Sequence, residues 1–189
     1  MNNKLISTLL ASTLIFVTGT VSAGSEGKSY IGVQYGIGNY SEKNISKDFK
    51  PTALIGRFGY FFQPNYSIEG RFGTGIKGDT QFLPEFGLGG LKAKFELDSI
   101  LGVYGTGHII LSDSASLYGV LGVSRVVAKA SVPGFPAADS TDEKTSISYG
   151  IGADFNISKT SSLNFEYMRY IDKTDFDLGI IGAGVSFGF

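Results

Sequence analysis

From Gly179 to Phe189 the chain reads Gly-Ile-Ile-Gly-Ala-Gly-Val-Ser-Phe-Gly-Phe. Ile181, Ala183, Val185, Phe187 and Phe189 share one parity, while Gly182, Gly184, Ser186 and Gly188 share the other. Successive side chains of a strand point to opposite faces, so this stretch predicts a strand with one wholly apolar face and one small or polar face. Running to a bare terminal aromatic, it suits a strand that must close a sheet. A soluble sandwich can use such a strand, and so can a closed sheet surrounded by lipid.

The same alternation recurs along the chain, and eight strands are expected. The first covers about 29–40, with Ile31, Val33, Tyr35 and Ile37 opposite Gly32, Gln34, Gly36 and Gly38. The second and third, about 52–62 and 66–76, flank the turn Gln63-Pro64-Asn65, where proline fixes φ and asparagine tolerates turn geometry. The fourth and fifth, about 95–110 and 115–130, carry apolar residues on both parities, which leaves their facing open. The sixth is the cleanest, setting Ile147, Tyr149, Ile151, Ala153 and Phe155 against Ser146, Ser148, Gly150, Gly152 and Asp154. The seventh runs about 162–171, and the C-terminal strand completes the set. Links after strands one, three and five are long, and those after two, four and six are tight turns.

Large apolar side chains occupy one parity, and Gly, Ser, Arg, Glu and Asp the other. A water-soluble barrel places its apolar residues inside and its polar residues outside. It cannot fill its core with glycine and ionic groups while exposing Tyr, Ile and Phe. A lipid-facing exterior resolves the conflict, and alternating short and long links match short periplasmic turns and longer extracellular loops. The expected fold is all-β, an eight-stranded antiparallel up-and-down transmembrane β-barrel.

The N-terminus carries Lys4 as its one charged side chain before Glu26, then a mostly apolar Leu5 to Val17, then small residues at Val21 and Ala23. This predicts a cleaved signal peptide over 1–23 and a barrel domain over 24–189. Without Lys4 the remaining 166 residues (189 minus 23) hold 15 basic and 17 acidic side chains, a net charge of −2. No basic excess exists to hold phosphates, so nucleic acid is not an expected partner. With no Cys and one His, neither a disulfide framework nor a thiolate or multi-histidine metal site is available, and no cofactor is expected.

With its signal peptide, strand rhythm and closing Val185-Ser186-Phe187-Gly188-Phe189, the chain resembles the small outer-membrane β-barrel family that includes the opacity proteins and the transmembrane domain of OmpA. The resemblance covers nearly all of 24–189. It implies residence in the outer membrane of a Gram-negative bacterium, among outer-membrane lipid and lipopolysaccharide. It also implies that Phe187 and Phe189 form the signal read by the barrel-assembly machinery. The family pattern is architectural and fixes no single activity. The expectation is a non-enzymatic envelope protein whose surface loops adhere to a host surface ligand. A narrow ion-conducting porin and a lipid A-modifying enzyme are the alternatives.

Arg57, Glu69, Arg71, Asp154 and Glu166 fall on the lumen parity, where they can pair instead of facing lipid at a cost of several kcal/mol each. They are read either as a narrow ion path or as a packed ionic plug. The plug is favoured because eight strands leave an interior that side chains just fill. Arg169 falls on the lipid parity near the extracellular rim, where it can snorkel to headgroups. His108 precedes Ser112 and Asp113, but these lie in an expected periplasmic turn, and the His-x-Ser-Asn pattern of lipid A deacylases is absent. A structural histidine is the favoured reading. Tyr30, Phe61, Phe62, Tyr66, Tyr118, Phe155, Phe187 and Phe189 are expected to form a periplasmic aromatic girdle. The link 77–94 holds Phe82, Leu83, Phe86, Leu88 and Leu91, more apolar bulk than a solvated loop needs. This link is read either as folded onto the barrel rim, the favoured reading, or as a sticky surface for a partner, and Phe82, Leu83, Phe86 and Leu88, with Phe135 in the link 132–143, are the candidate loop contacts.

Overall fold

The computed structural model describes residues 26–42, 48–83, 91–134, 139–173 and 176–189. The expected signal peptide, and Phe86, Leu88 and Phe135, lie outside the described residues. Nine strands form one antiparallel sheet: β1 Ser29–Glu42, β2 Thr52–Gln63, β3 Tyr66–Lys77, β4 Asp79–Leu83, β5 Leu91–Ser112, β6 Ala115–Ser131, β7 Ser140–Asn156, β8 Ser161–Lys173 and β9 Phe176–Gly188. Neighbours in sequence are neighbours in space, and β9 returns to pair with β1 from Gly188↔Tyr30 to Phe176↔Glu42. The final residue completes the seam, because Phe189 and Ser29 exchange backbone hydrogen bonds of 2.9 and 3.0 Å. The sheet is therefore a closed barrel.

The barrel has eight walls because β3 and β4 are one wall interrupted at Gly78. Both pair with β5, β3 through Thr74↔Ser99 and β4 through Asp79↔Phe95. This corrects the expectation of a loop over 77–94, since Asp79–Leu83 and Leu91–Lys94 are a hairpin continuing both strands outward. β5 consequently spans 22 residues, and β6 and β7 span 17 each. A bilayer needs only about 9–11 residues per tilted strand. The surplus of β5, β6 and β7, with β4 alongside, projects as a ribbon on the side opposite the tight turns at Pro64–Asn65, Asp113–Ser114 and Ile157–Thr160.

Side-chain facing explains why β5 and β6 were ambiguous. In the lower part of β6, Leu117, Leu121 and Val123 point outward and are exposed, while Ser116, Tyr118 and Ser124 point inward and are buried. Above Ser124 the chemistry reverses: Arg125 and Lys129 point out, and Val126 and Ala128 are buried inside. In β5 the same reversal coincides with an irregularity between Leu97 and Ser99. Below it Leu101 and Val103 face out and Thr106 and His108 in. Above it Phe95 and Leu97 are buried, with Glu96 and Lys94 on the outside. β1 changes from outward Ile37 to outward Asn39, and β8 from outward Tyr167 to Arg169. One physical boundary produces all of these changes. Below it the solvent outside is hydrocarbon, and Ile151 and Ile181 stand 70% and 68% exposed to it. Above it the solvent is water, and the barrel has an ordinary apolar core.

That upper core consists of Tyr40, Phe49, Phe95, Leu97, Val126, Ala128, Tyr170, Ile171, Leu178 and Ile180, with Ala93 and Phe176 packed against it. Tyr40 stacks on Phe95 at 3.9 Å between ring centroids and meets Phe176 edge-on at 4.9 Å. Three residues of the expected girdle belong elsewhere. Tyr30, Phe61 and Tyr118 share the inward parity and are buried in the lumen, whereas Phe62, Tyr66, Phe155, Phe187 and Phe189 face outward.

The boundary makes a direct prediction. Leu121→Arg places a charge within the apolar band and should cost about 2–4 kcal/mol, whereas Val127→Arg, above the reversal on the same strand, should cost about 0–1 kcal/mol. Denaturant unfolding in phospholipid vesicles measures both.

Candidate functional site

The lower lumen is built around one carboxylate. Glu69 on β3 is fully buried and accepts from Arg57 of β2, with Nε at 2.9 Å and Nη2 at 2.7 Å from Oε2. Its other oxygen accepts from Nε of Arg71, two residues along the same face. The far edge of the Arg71 guanidinium reaches across the barrel to Glu166 on β8, Nη1 to Oε1 at 2.5 Å and Nη2 to Oε2 at 2.8 Å. Two guanidiniums and two carboxylates thus balance in charge. Tyr30 adds a hydrogen bond to Glu69 at 2.5 Å, and the guanidiniums of Arg71 and Arg57 lie over the rings of Tyr104 and Tyr118 at 4.9 and 5.6 Å.

These residues meet because β2 and β3 pair Arg57 directly with Arg71. Two arginines opposite each other repel, and Glu69, next along β3 on that face, lies between them and offsets the repulsion. Glu166 fits because its in-register neighbours, Gly152 on β7 and Gly182 on β9, have no side chains. The fifth predicted residue, Asp154, does not join this group. It lies toward the periplasmic end, with its carboxylate 3.8 Å from Nδ1 of His108.

His108 faces the lumen between Phe61 and Tyr118, at centroid distances of 5.2 and 5.3 Å, with Nε2 3.1 Å from the Thr106 hydroxyl. Its ring therefore lies inside the barrel and away from the turn that carries Ser112 and Asp113. Thr106 continues to Ser67 at 2.5 Å, and Ser67 to Tyr30 at 3.3 Å. Gln34, Asn164 and Ser186 form a further polar bridge between β1, β8 and β9. Tyr30 and Tyr118, expected in the outward girdle, and Tyr104, on a strand whose facing the sequence left open, are buried against the ionic group.

Outside the band four cations lie against carboxylates among the described residues. Arg125 donates to Glu143 at 2.6 Å, Lys129 to Asp98 at 2.5 Å, and Lys94 lies 2.8 Å from Glu96. The hydrogen bond from Arg125 holds the Glu143 carboxyl below its usual range, and Asp98 raises the Lys129 ammonium above its own. Arg169 is likewise committed, donating through Nε to Asp177 at 2.6 Å. Asp172 beside it accepts from the Tyr149 hydroxyl at 2.6 Å. Of the candidate loop contacts, Phe82 lies on β4 and is exposed, and Leu83 ends that strand.

Removing one partner from a buried ion pair strands its counter-charge, which typically costs about 3–5 kcal/mol. Glu69→Ala strands the Arg57 guanidinium and leaves Nε of Arg71 without its acceptor, while Arg71 keeps Glu166, and should reach the upper part of that range. Replacing the exposed Glu143 with Ala should cost far less, because solvent screens its pair with Arg125. The two variants are compared by urea unfolding in the same vesicles.

Comparison with known proteins places this architecture. Over 185 residues the chain is 27% identical to the attachment invasion locus protein of Yersinia pseudotuberculosis, covering 95% of this chain and 97% of the relative. The crystal structure of Ail, the attachment invasion locus protein of Yersinia pestis, is similar at a TM-score of 0.62 and 23% identity, covering 87% of this chain and all of that one. A second structure of that protein, in complex with the heparin analogue sucrose octasulfate, is similar at a TM-score of 0.60 with the same identity and coverage. The relatives carry an attachment and invasion name and none belonging to an enzyme family. The model of the outer membrane protein beta-barrel domain matches residues 7–189. A closed sheet with a lipid-facing band is the form that match describes, and the chain belongs to the outer membrane protein β-barrel domain family, at home in the outer membrane of a Gram-negative bacterium.

Proposed function

We propose that this protein is a non-conducting surface attachment protein whose projecting β4–β7 ribbon contacts a host surface. The observation that carries the reading is the ribbon itself. Strands that run well beyond what a bilayer requires serve no purpose in spanning it. The attachment invasion names of the similar Yersinia proteins support the same reading. Residues 1–23 fit a cleaved export segment, with Lys4, an apolar stretch and small residues at Val21 and Ala23.

The lumen argues against ion passage. Polar side chains fill its lower half in mutual hydrogen bonds, and the aromatic group of Tyr40, Phe49, Phe95 and Phe176 lies across its upper half. Electrically silent planar bilayers are the expected result, and steady single-channel conductance would restore the porin alternative. His108 has no serine nucleophile among its hydrogen-bond partners in the described residues, which argues against lipid A chemistry. Lipid A mass spectra should be unchanged by deletion of the gene.

The heparin analogue bound by Ail of Yersinia pestis raises a sulfated polysaccharide as ligand. The charge of the extracellular segments does not favour it here. Residues 41–52, 77–99, 125–146 and 169–177 together hold 11 basic and 12 acidic side chains. Arg125, Lys129, Lys94 and Arg169 each lie against a carboxylate. A protein ligand suits this balanced surface better than a polyanion.

Replacing residues 79–97 and 126–146 with short turns tests the reading. Bacteria carrying that variant should lose most attachment to epithelial monolayers while the barrel keeps its heat-modifiable migration on gels. Unchanged attachment would exclude the ribbon as the contact surface.

A further inference from the structure

A chain of hydrogen bonds that ends at Glu69 fixes where the protons lie along the lower lumen. The Glu69 carboxylate, set between two guanidiniums, can only accept, so the Tyr30 hydroxyl donates to it at 2.5 Å. Each hydroxyl has one proton to give. Tyr30 therefore accepts from Ser67 at 3.3 Å, Ser67 from Thr106 at 2.5 Å, and Thr106 from Nε2 of His108 at 3.1 Å. This polarity assigns the ring proton of His108 to Nε2 and leaves the lone pair on Nδ1. His108 is 8% exposed, and its Nδ1 is buried with no hydrogen-bond partner among the described residues. Oδ2 of Asp154 lies 3.8 Å from it.

Two electron-pair donors thus face each other across a short gap. The balance of charge points the same way. Arg57 and Arg71 are engaged with Glu69 and Glu166, two cations against two anions. Asp154 is left over, and among the described residues no Arg or Lys forms an ion pair with it. Its side chain is 18% exposed, against 5% for His108. It stands two residues before Asn156, the end of β7 at the periplasmic opening, so the pair is reached from that side. The two groups come from different walls. His108 on β5 is in register with Tyr118 on β6, and Asp154 on β7 is in register with Ser116, two residues before Tyr118.

We propose that Nδ1 of His108 and the Asp154 carboxylate bind one divalent transition cation of the zinc type, taken up from the periplasm. A nitrogen ligand with a carboxylate suits zinc and its neighbours, whereas calcium and magnesium take oxygen ligands. Zinc holds such atoms at about 2.0–2.2 Å, which sets two ligands about 3.4 Å apart at a tetrahedral angle and about 4.2 Å apart in line. The separation of 3.8 Å lies between these limits. Thr106 supplies the outer contact that a metal-binding imidazole needs, accepting from the other ring nitrogen and so holding the tautomer. Among the described residues no third His, Asp or Glu joins the pair, so water completes the coordination and the ion is exchangeable. The ion ties β5 to β7 across β6 and neutralises the surplus carboxylate of the lumen. This inference does not depend on the attachment reading.

The chain holds one histidine, so its imidazole gives a single pair of nitrogen signals. The test uses the full mature chain without a histidine tag, labelled with nitrogen-15 histidine, in phospholipid nanodiscs at neutral pH. Long-range proton–nitrogen spectra should show Nε2 protonated and Nδ1 bare, and added zinc chloride should shift Nδ1 far more than Nε2. By titration calorimetry, Asp154→Asn should weaken zinc binding at least fivefold while heat-modifiable migration is retained. His108→Gln, whose amide nitrogen still donates toward Thr106, should abolish binding, and Asp113→Asn on the neighbouring turn should bind as wild type does. If His108→Gln fails to fold, the wild-type spectra and Asp154→Asn decide the matter. An Nδ1 signal unmoved up to millimolar zinc overturns the proposal, as does a shift at Nε2 instead. A loss under fivefold in Asp154→Asn, or an equal loss in Asp113→Asn, places the ion elsewhere and overturns it too. Nδ1 already protonated and unmoved by zinc assigns the pair to a proton alone, which also overturns it.

Discussion

Hydrocarbon offers nothing to a bare N–H or C=O, so within the apolar band every strand needs a partner on both sides. This constraint forces the sheet to close and gives the β1–β9 seam its full ladder down to the terminal Phe189. It also explains where the ladder is free to open. β7 and β8 stay paired as far as Tyr149 and Arg169, at the level where outward side chains stop being apolar. Above that level water can satisfy the backbone, and the two strands separate.

Closure creates a second obligation. A barrel of eight strands has a narrow interior, and its outward face has already claimed the large apolar residues, so the lower lumen must be filled with polar ones. Buried polar groups are costly unless each has partners. The Arg57–Glu69–Arg71–Glu166 group meets this with both guanidiniums engaged, and the hydroxyl and amide bridges from Tyr30 to Thr106 and from Gln34 to Ser186 meet it elsewhere. Among the described residues, Nδ1 of His108 is the exception, buried without a hydrogen-bond partner at 3.8 Å from Asp154. The glycines on this face make room for the long side chains. A Cβ at Gly59 would land on the ring of Tyr30, and one at Gly152 on that of Tyr118.

A filled lumen leaves the exterior as the working surface. The walls serve mainly to anchor and orient a ribbon that continues them, stiffened underneath by an apolar core of the kind found in water-soluble proteins. Its paired surface charges keep it soluble without giving it a strong field of either sign.

The lipid-facing band, the strand count and the inward parity of Arg57, Glu69, Arg71, Asp154 and Glu166 were legible in the sequence, because a strand's period of two ties each side chain to one face as long as the solvent outside stays the same. The sequence could not reveal where that solvent changes. In β5 and β6 the apolar residues switch faces at the water boundary, so both parities look apolar and the length of the ribbon is hidden inside expected loops. Tertiary structure also decided which inward charges meet. Arg71 and Glu166 are 95 residues apart, and only the curvature of the closed sheet brings them together across the lumen while leaving Asp154 beside His108. The open edge of β7 was decided the same way, since whether a strand has one neighbour or two depends on where the next wall turns aside.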